Sequence, residues 1–221
     1  MDIEGITLER LNHDCFKLKT ENKVIYLDPY QIEPKEAADL ILITHEHQDH
    51  CSLKDIEKLL KQGTTIVTIP ECQSTLSRIA EKISSVVLIE PFQKKEVQGI
   101  TIETIPAYNT NKFRSGKFVF HPKEDGRVGF IITLNGKRIY HAGDTDVIPE
   151  MQQLKNIDIA LLPVSGTYVM TPEEAAKATE IIKPKIAIPM HYGAGVVGTD
   201  ADAEKFKKLV KSVEVIILPQ V

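Results

Sequence analysis

Short apolar runs and helical stripes alternate along this chain. Val24-Ile25-Tyr26-Leu27 is a β-branched and aromatic run closed by Asp28-Pro29, and it predicts a strand. Leu40-Ile41-Leu42-Ile43 predicts another. Ser52 then stands in an N-cap position with Asp55 three residues on, the spacing of a capping box. Leu53, Ile56, Leu59 and Leu60 follow at helical spacing, with Gly63 as the stop. Residues 66–69 predict a strand. Leu76, Ile79, Ala80 and Ile83 share one face of a second amphipathic helix.

The middle of the chain is richer in strand signals. Residues 86–89 and 100–105 predict strands. Residues 128–134 and 137–141 flank Asn135-Gly136, the dipeptide that a tight hairpin turn needs for its two positive φ angles. A strand over 157–162 follows. Thr171-Pro172-Glu173-Glu174 combines an N-cap, a proline in the first turn and a capping-box glutamate, and the helix it opens ends before Lys183-Pro184. A strand over 185–189, a helix over 201–211 and a strand over 213–218 complete the pattern. Hairpins mixed with strand–helix–strand units predict an α/β (α+β) fold of two mixed sheets packed together with helices outside. Residues 107–127 show no clean period, and a stretch of that length inside a compact domain marks a functional loop or lid.

The 221 residues are 42% hydrophobic and 26% charged, ordinary values for a water-soluble domain, and a single domain spanning 1–221 is expected. A net charge of −4 gives no reason to expect nucleic acid or an anionic membrane as partner. No apolar run approaches the roughly 20 residues that cross a bilayer. The opening Met1-Asp2-Ile3-Glu4 has no secretory character, and the three cysteines are too few for a disulfide framework, so a cytoplasmic protein is expected. Cys51 beside His50 reads as a buried thiol.

The densest chemistry is Thr44-His45-Glu46-His47-Gln48-Asp49-His50, which directly follows the 40–43 strand. Three imidazoles and a carboxylate at one strand end suit a divalent metal. His191 follows the 185–189 strand, Asp144 follows the 137–141 strand, and His121 precedes the 128–134 strand. A carboxylate placed between two ions could bridge them. Two ions about 3.5–4 Å apart hold a hydroxide able to attack a carbonyl or phosphorus at neutral pH.

His45-x-His47-x-Asp49-His50, Gly143-Asp144-Thr145 and His191 resemble the metallo-β-lactamase superfamily in order and spacing. Leu11-Asn12-His13-Asp14-Cys15-Phe16, the segment from Ile139 to Thr145, and Ile188-Pro189-Met190-His191-Tyr192-Gly193 resemble the branch containing the ascorbate-6-phosphate lactonases. The resemblance implies a four-layer αββα sandwich with two divalent ions at one edge of the sheets. Zinc is favoured, with manganese, iron and nickel as alternatives. It implies that His45 and His47 bind the first ion, that Asp49, His50 and His191 bind the second, and that Asp144 bridges them. Asp49 would also orient the attacking hydroxide. Asp28 matches an additional aspartate of the pattern and is read as a ligand or as the partner of an imidazole N–H. His13 is a weaker candidate of the same kind. The family's third histidine on the first ion is absent near position 109, where the sequence is Ala107-Tyr108-Asn109. Either Asn109 or His121 completes that site, and His121 is preferred.

The expected function is a metal-dependent hydrolase in which a bridging hydroxide attacks an ester, lactone or phosphoester. Lactone hydrolysis is favoured only by the resemblance. The 107–127 loop carries five cations against Glu124 and Asp125, which suits a lid for a small anionic substrate. Lys112, Arg114 and Tyr192 are its candidate substrate contacts. The rival enzyme reading is a phosphodiesterase or nuclease. The non-enzymatic rival is a metal-binding scaffold. Relatives in the lactonase branch often self-associate, so a homo-oligomer is left open.

Overall fold

The computed structural model describes residues 1–221. The chain divides into two compact units, residues 1–90 with 218–221, and residues 91–217. Each is built on a mixed sheet of seven strands, so both expected sheets are present.

In the first unit the strands lie in chain order: β1 (Asp2–Ile3), β2 (Ile6–Asn12), β3 (Cys15–Lys19), β4 (Val24–Leu27), β5 (Leu40–Ile43), β6 (Thr65–Thr68) and β7 (Ser85–Leu88). Pairing is antiparallel from β1 to β4 and parallel from β4 to β7. That change explains the texture of the sequence. β4, β5 and β6 are buried at every position, as parallel strands covered on both faces are, whereas β2 alternates buried and half-buried positions. The apolar pattern does not announce β2 and β3 because charged residues interrupt them. Lys17 is accommodated by ion pairs to Glu9 and Glu36, at 3.0 and 2.6 Å.

Helix α1 (Leu53–Leu59) begins after Ser52 as predicted but stops short of Gly63. The Leu59 carbonyl accepts the Ala38 amide at 2.8 Å, a tertiary bond that no local signal encodes. The expected capping box is also absent. Asp55 instead accepts the Ser52 hydroxyl (2.6 Å) and the amides of Gln31 and Ile32 (2.8 and 3.2 Å), which fastens the segment after β4 to α1. The predicted second amphipathic helix is broken. A 3₁₀ turn over Pro70–Cys72 leads into α2 (Gln73–Leu76) and a second 3₁₀ stretch, with Ile79 out of helical geometry at φ −131°.

The second unit contains β8 (Lys94–Val97), β9 (Ile100–Pro106), a small separate hairpin of β10 (Phe113–Ser115) and β11 (Phe118–Val119), then β12 (Val128–Leu134), β13 (Lys137–His141), β14 (Ile159–Pro163), β15 (Ile186–Met190) and β16 (Glu214–Val215). The sheet order is β16-β15-β14-β13-β12-β9-β8. β13 to β16 are parallel, and β8, β9, β12 and β13 pair antiparallel. Asn135 and Gly136 turn the β12–β13 hairpin with φ of 47° and 74°, as predicted. α3 (Pro172–Ile182) carries the predicted capping box and ends where Lys183 takes φ 52° ahead of Pro184. α4 (Asp200–Leu209) follows. The last strand is much shorter than the predicted 213–218. No helix is long and apolar enough to cross a membrane.

Candidate metal centre

In the first unit, the buried strand β5 delivers Thr44 and the histidine turn. Asp28 sits just past the end of β4 with φ 43°, its amide donating to Leu42 at 2.9 Å. Its carboxylate accepts the Thr44 amide (2.8 Å), the Thr44 hydroxyl (2.6 Å) and Nδ1 of His50 (2.8 Å). A carboxylate only accepts, so Nδ1 of His50 carries a proton and Nε2 is the nitrogen that a metal could take. The Thr44 hydroxyl has given its only proton to Asp28, so at 3.0 Å it accepts Nδ1–H of His45. Asp28 therefore orients two imidazoles, one directly and one through Thr44. Amides of His50 and Cys51 donate to the His47 carbonyl and tighten the turn. The His45 ring centroid lies 4.6 Å from that of His47 and 4.0 Å from that of His50. His45 and His50 are buried, and His47 is two-fifths exposed. Cys51 is a buried thiol.

The turn between β2 and β3 adds His13 and Asp14, both fully buried. His13 Nε2 lies 3.4 Å from an Asp49 carboxylate oxygen, and His50 Nε2 lies 3.6 Å from Asp14.

In the second unit, Asn109 and His121 lie on opposite arms of the 107–127 loop. The Asn109 amide donates to the His121 carbonyl (2.8 Å), and Oδ1 of Asn109 accepts both the backbone amide and Nδ1 of His121, each at 2.9 Å. Its Nδ2 donates to the Tyr168 carbonyl at 2.8 Å. Asn109 is fully engaged in orienting His121, whose Nε2 reaches to 3.3 Å from Asp144. His191, at φ 63° after β15, places Nε2 3.5 Å from the same carboxylate oxygen, and its Nδ1 is 2.7 Å from the Ser165 hydroxyl. Asp144 is thus flanked by two imidazoles in a buried setting. Thr145 holds the adjacent loop by donating to the Tyr108 carbonyl at 3.2 Å.

Four imidazoles, His45, His50, His121 and His191, share one feature: Nδ1 is bonded to an oxygen, which leaves Nε2 as the nitrogen that a metal could take. That donor set of imidazole nitrogens and carboxylate oxygens fits a divalent transition metal. His141 differs, because its Nδ1 accepts the Gly143 amide at 3.3 Å.

The substrate candidates fare differently. Lys112 is held by Glu174 (2.6 Å) and Asp146 (3.1 Å), so its charge is already neutralised within the unit. Burial works against ionising Glu174, yet hydrogen bonds from Lys112, the Thr171 amide and Asn111 outweigh it and hold that carboxyl below its ordinary pKa. Lys123 is likewise committed to Glu150 (2.6 Å) and lies over the Tyr108 ring. Arg114 is exposed on β10, and Tyr192 is buried. Sequence reasoning missed Asp14, Thr44 and Ser165 as site residues. Ser165 follows the end of β14, the same strand-end position that flagged Asp144 and His191.

Two mixed sheets with imidazoles and carboxylates at strand ends define a metallo-β-lactamase-type protein. The profile of the β-lactamase superfamily domain matches residues 7–191. The sequence is 37% identical to a UPF0173 metal-dependent hydrolase of Thermococcus onnurineus over 94% of each chain, and 35% identical to one of Pyrococcus abyssi over 97% of each. A crystal structure described as a metal-dependent hydrolase of Parabacteroides distasonis superposes with a TM-score of 0.84 at 34% identity, covering 98% of this chain and 94% of that one. Igni18, a metallo hydrolase of Ignicoccus hospitalis, gives 0.75 at 26%, covering 96% and 94%. This chain belongs to the UPF0173 metal-dependent hydrolase family within the β-lactamase superfamily.

Proposed function

We propose that this protein is a two-metal hydrolase that cleaves an ester, lactone or phosphoester bond in a small anionic substrate. The observation that carries the reading is the uniform orientation of His45, His50, His121 and His191, each with Nδ1 bonded to an oxygen. Relatives named metal-dependent hydrolases over nearly their whole length support it. By the ligand pattern that the sequence resembles, His45, His47 and His121 would hold the first ion and Asp49, His50 and His191 the second, with Asp144 available to both. Zinc suits such nitrogen and oxygen donors, and manganese, iron and nickel accept them as well.

Ions held there would supply hydroxide at neutral pH and polarise the scissile bond. The chain's own groups do the rest. Asp28, Thr44, Asn109 and Ser165 fix the ligand rings, so little reorganisation accompanies the reaction. Asp49, a fifth exposed, would orient the attacking water. Among the loop cations, Arg114 and Lys117 remain exposed on the β10–β11 hairpin, and they replace Lys112 as the expected contacts of an anionic group.

The test is a hydrolysis panel of lactones, carboxylic esters and phosphodiesters, run on protein with measured metal content. Turnover of at least one class that disappears with chelator and returns with added metal is expected. Full metal occupancy with no turnover across the panel would instead favour a binding scaffold.

A further inference from the structure

The hairpin between β2 and β3 turns on two residues, His13 and Asp14. His13 adopts φ 44°, a left-handed conformation uncommon for a residue with a side chain, and its amide is held by the Asn12 side-chain oxygen at 3.1 Å. A two-residue hairpin turn calls for positive φ at its first position. Here it presents His13 and Asp14 side by side, both fully buried, toward the histidine turn that follows β5.

The separations among the donors are informative. His13 Nε2 is 3.4 Å from Asp49 and 3.9 Å from Asp14, and His50 Nε2 is 3.6 Å from Asp14 and 3.9 Å from Asp49. The donor atoms of His13, Asp14 and His50 all lie within 4.8 Å of one another. Charge-assisted hydrogen bonds between an imidazolium and a carboxylate close to about 2.7–2.9 Å. These contacts are systematically longer. Ligands standing about 2.0–2.1 Å from a tetrahedral ion are about 3.3–3.4 Å apart, and a larger ion with longer bonds spreads them further. The spacing is that of groups sharing a cation, not of groups bonded to each other.

We infer that His13 and Asp14 are ligands of the ion that Asp49 and His50 bind, so the first unit supplies four protein donors to it. The inference rests on the two-metal reading above and adds two ligands from the β2–β3 turn. It also makes the two ions unequal, because the second site is richer in carboxylate and therefore harder in character than the first.

The experiment compares wild type, Asp14→Asn, His13→Asn and His47→Ala, the last as a control for the other ion. Metal per chain is measured by mass spectrometry after dialysis, affinity by chelator competition, and coordination by the visible spectrum of the cobalt-substituted protein. His13→Asn retains a residue that tolerates positive φ, so it serves if the Asp14 variant does not fold. The expected result is two equivalents in wild type, with loss of one equivalent or more than about 100-fold in affinity in the His13 and Asp14 variants, beyond the range typical of residues that only orient a ligand. The cobalt bands should shift in those variants, and His47→Ala should retain the second-site spectrum. Smaller losses with unchanged cobalt bands would overturn the inference while leaving the two-metal reading intact. No metal in wild type would instead overturn that reading and the inference with it.

Discussion

Oδ1 of Asn109 accepts both the main-chain amide and the ring Nδ1–H of His121, so a residue on one arm of the 107–127 loop sets the direction of an imidazole on the other. The position where the family's pattern calls for a histidine holds the group that orients one. Asn109→Leu should therefore leave the fold intact and weaken metal binding about 10- to 100-fold, the usual effect of removing a partner behind a ligand. Titration of the metal-free protein measures this directly. Unchanged affinity would show that His121 needs no such support.

His47 and Asp144 are assigned as ligands themselves. His47→Ala and Asp144→Ala should each lower bound metal and reduce activity by orders of magnitude, while circular dichroism stays native. A variant with full metal content would remove that residue from the ligand set.

Gly198 approaches the Ser165–His191 pair closely. A Cβ at this position would lie 2.6 Å from Cβ of Ser165 and 2.8 Å from the His191 carbonyl, with φ at 79°. Gly198→Ala should cost about 2 kcal/mol through overpacking and backbone strain, and should weaken metal binding by displacing His191. Thermal melting and metal content of the same sample read both effects. Wild-type values in both would show that the loop relaxes freely.

Lys112 serves the structure. Lys112→Met leaves Asp146 and Glu174 without their cation and should cost about 2 kcal/mol at neutral pH, discounted from fully buried pairs because Glu174 is a quarter exposed. The sign with pH follows from the lowered pKa of Glu174. A depressed carboxyl stabilises the fold above its unfolded value and loses that contribution as pH falls through the folded value. The gap in melting temperature between wild type and variant should thus be widest at neutral pH and shrink below about pH 4.3. A gap that grows in acid would contradict the assignment.

Much of this was legible in the sequence where the signal is local. Asn135-Gly136, the Thr171–Glu174 capping box and the buried run of β5 each encode their own geometry within a few residues, and each is found as written. The histidine motif is legible for the same reason. What escaped depends on distant partners. The end of α1 is set by Ala38, and the second amphipathic helix breaks at Ile79 although its apolar spacing is regular. Lys112 looks like a free cation until Glu174 is placed beside it. Asp14 carries no periodic signal, and its importance emerges only when His50 is found 3.6 Å away.

The most direct test of the account is an anomalous-scattering map from crystals grown with zinc or manganese. Two peaks are predicted about 3.5–4 Å apart, one within bonding distance of Nε2 of His45 and His121, the other within bonding distance of Nε2 of His50 and His191. A map with no peak near those four nitrogens, in protein shown to be folded and metal-replete, would contradict the central claim.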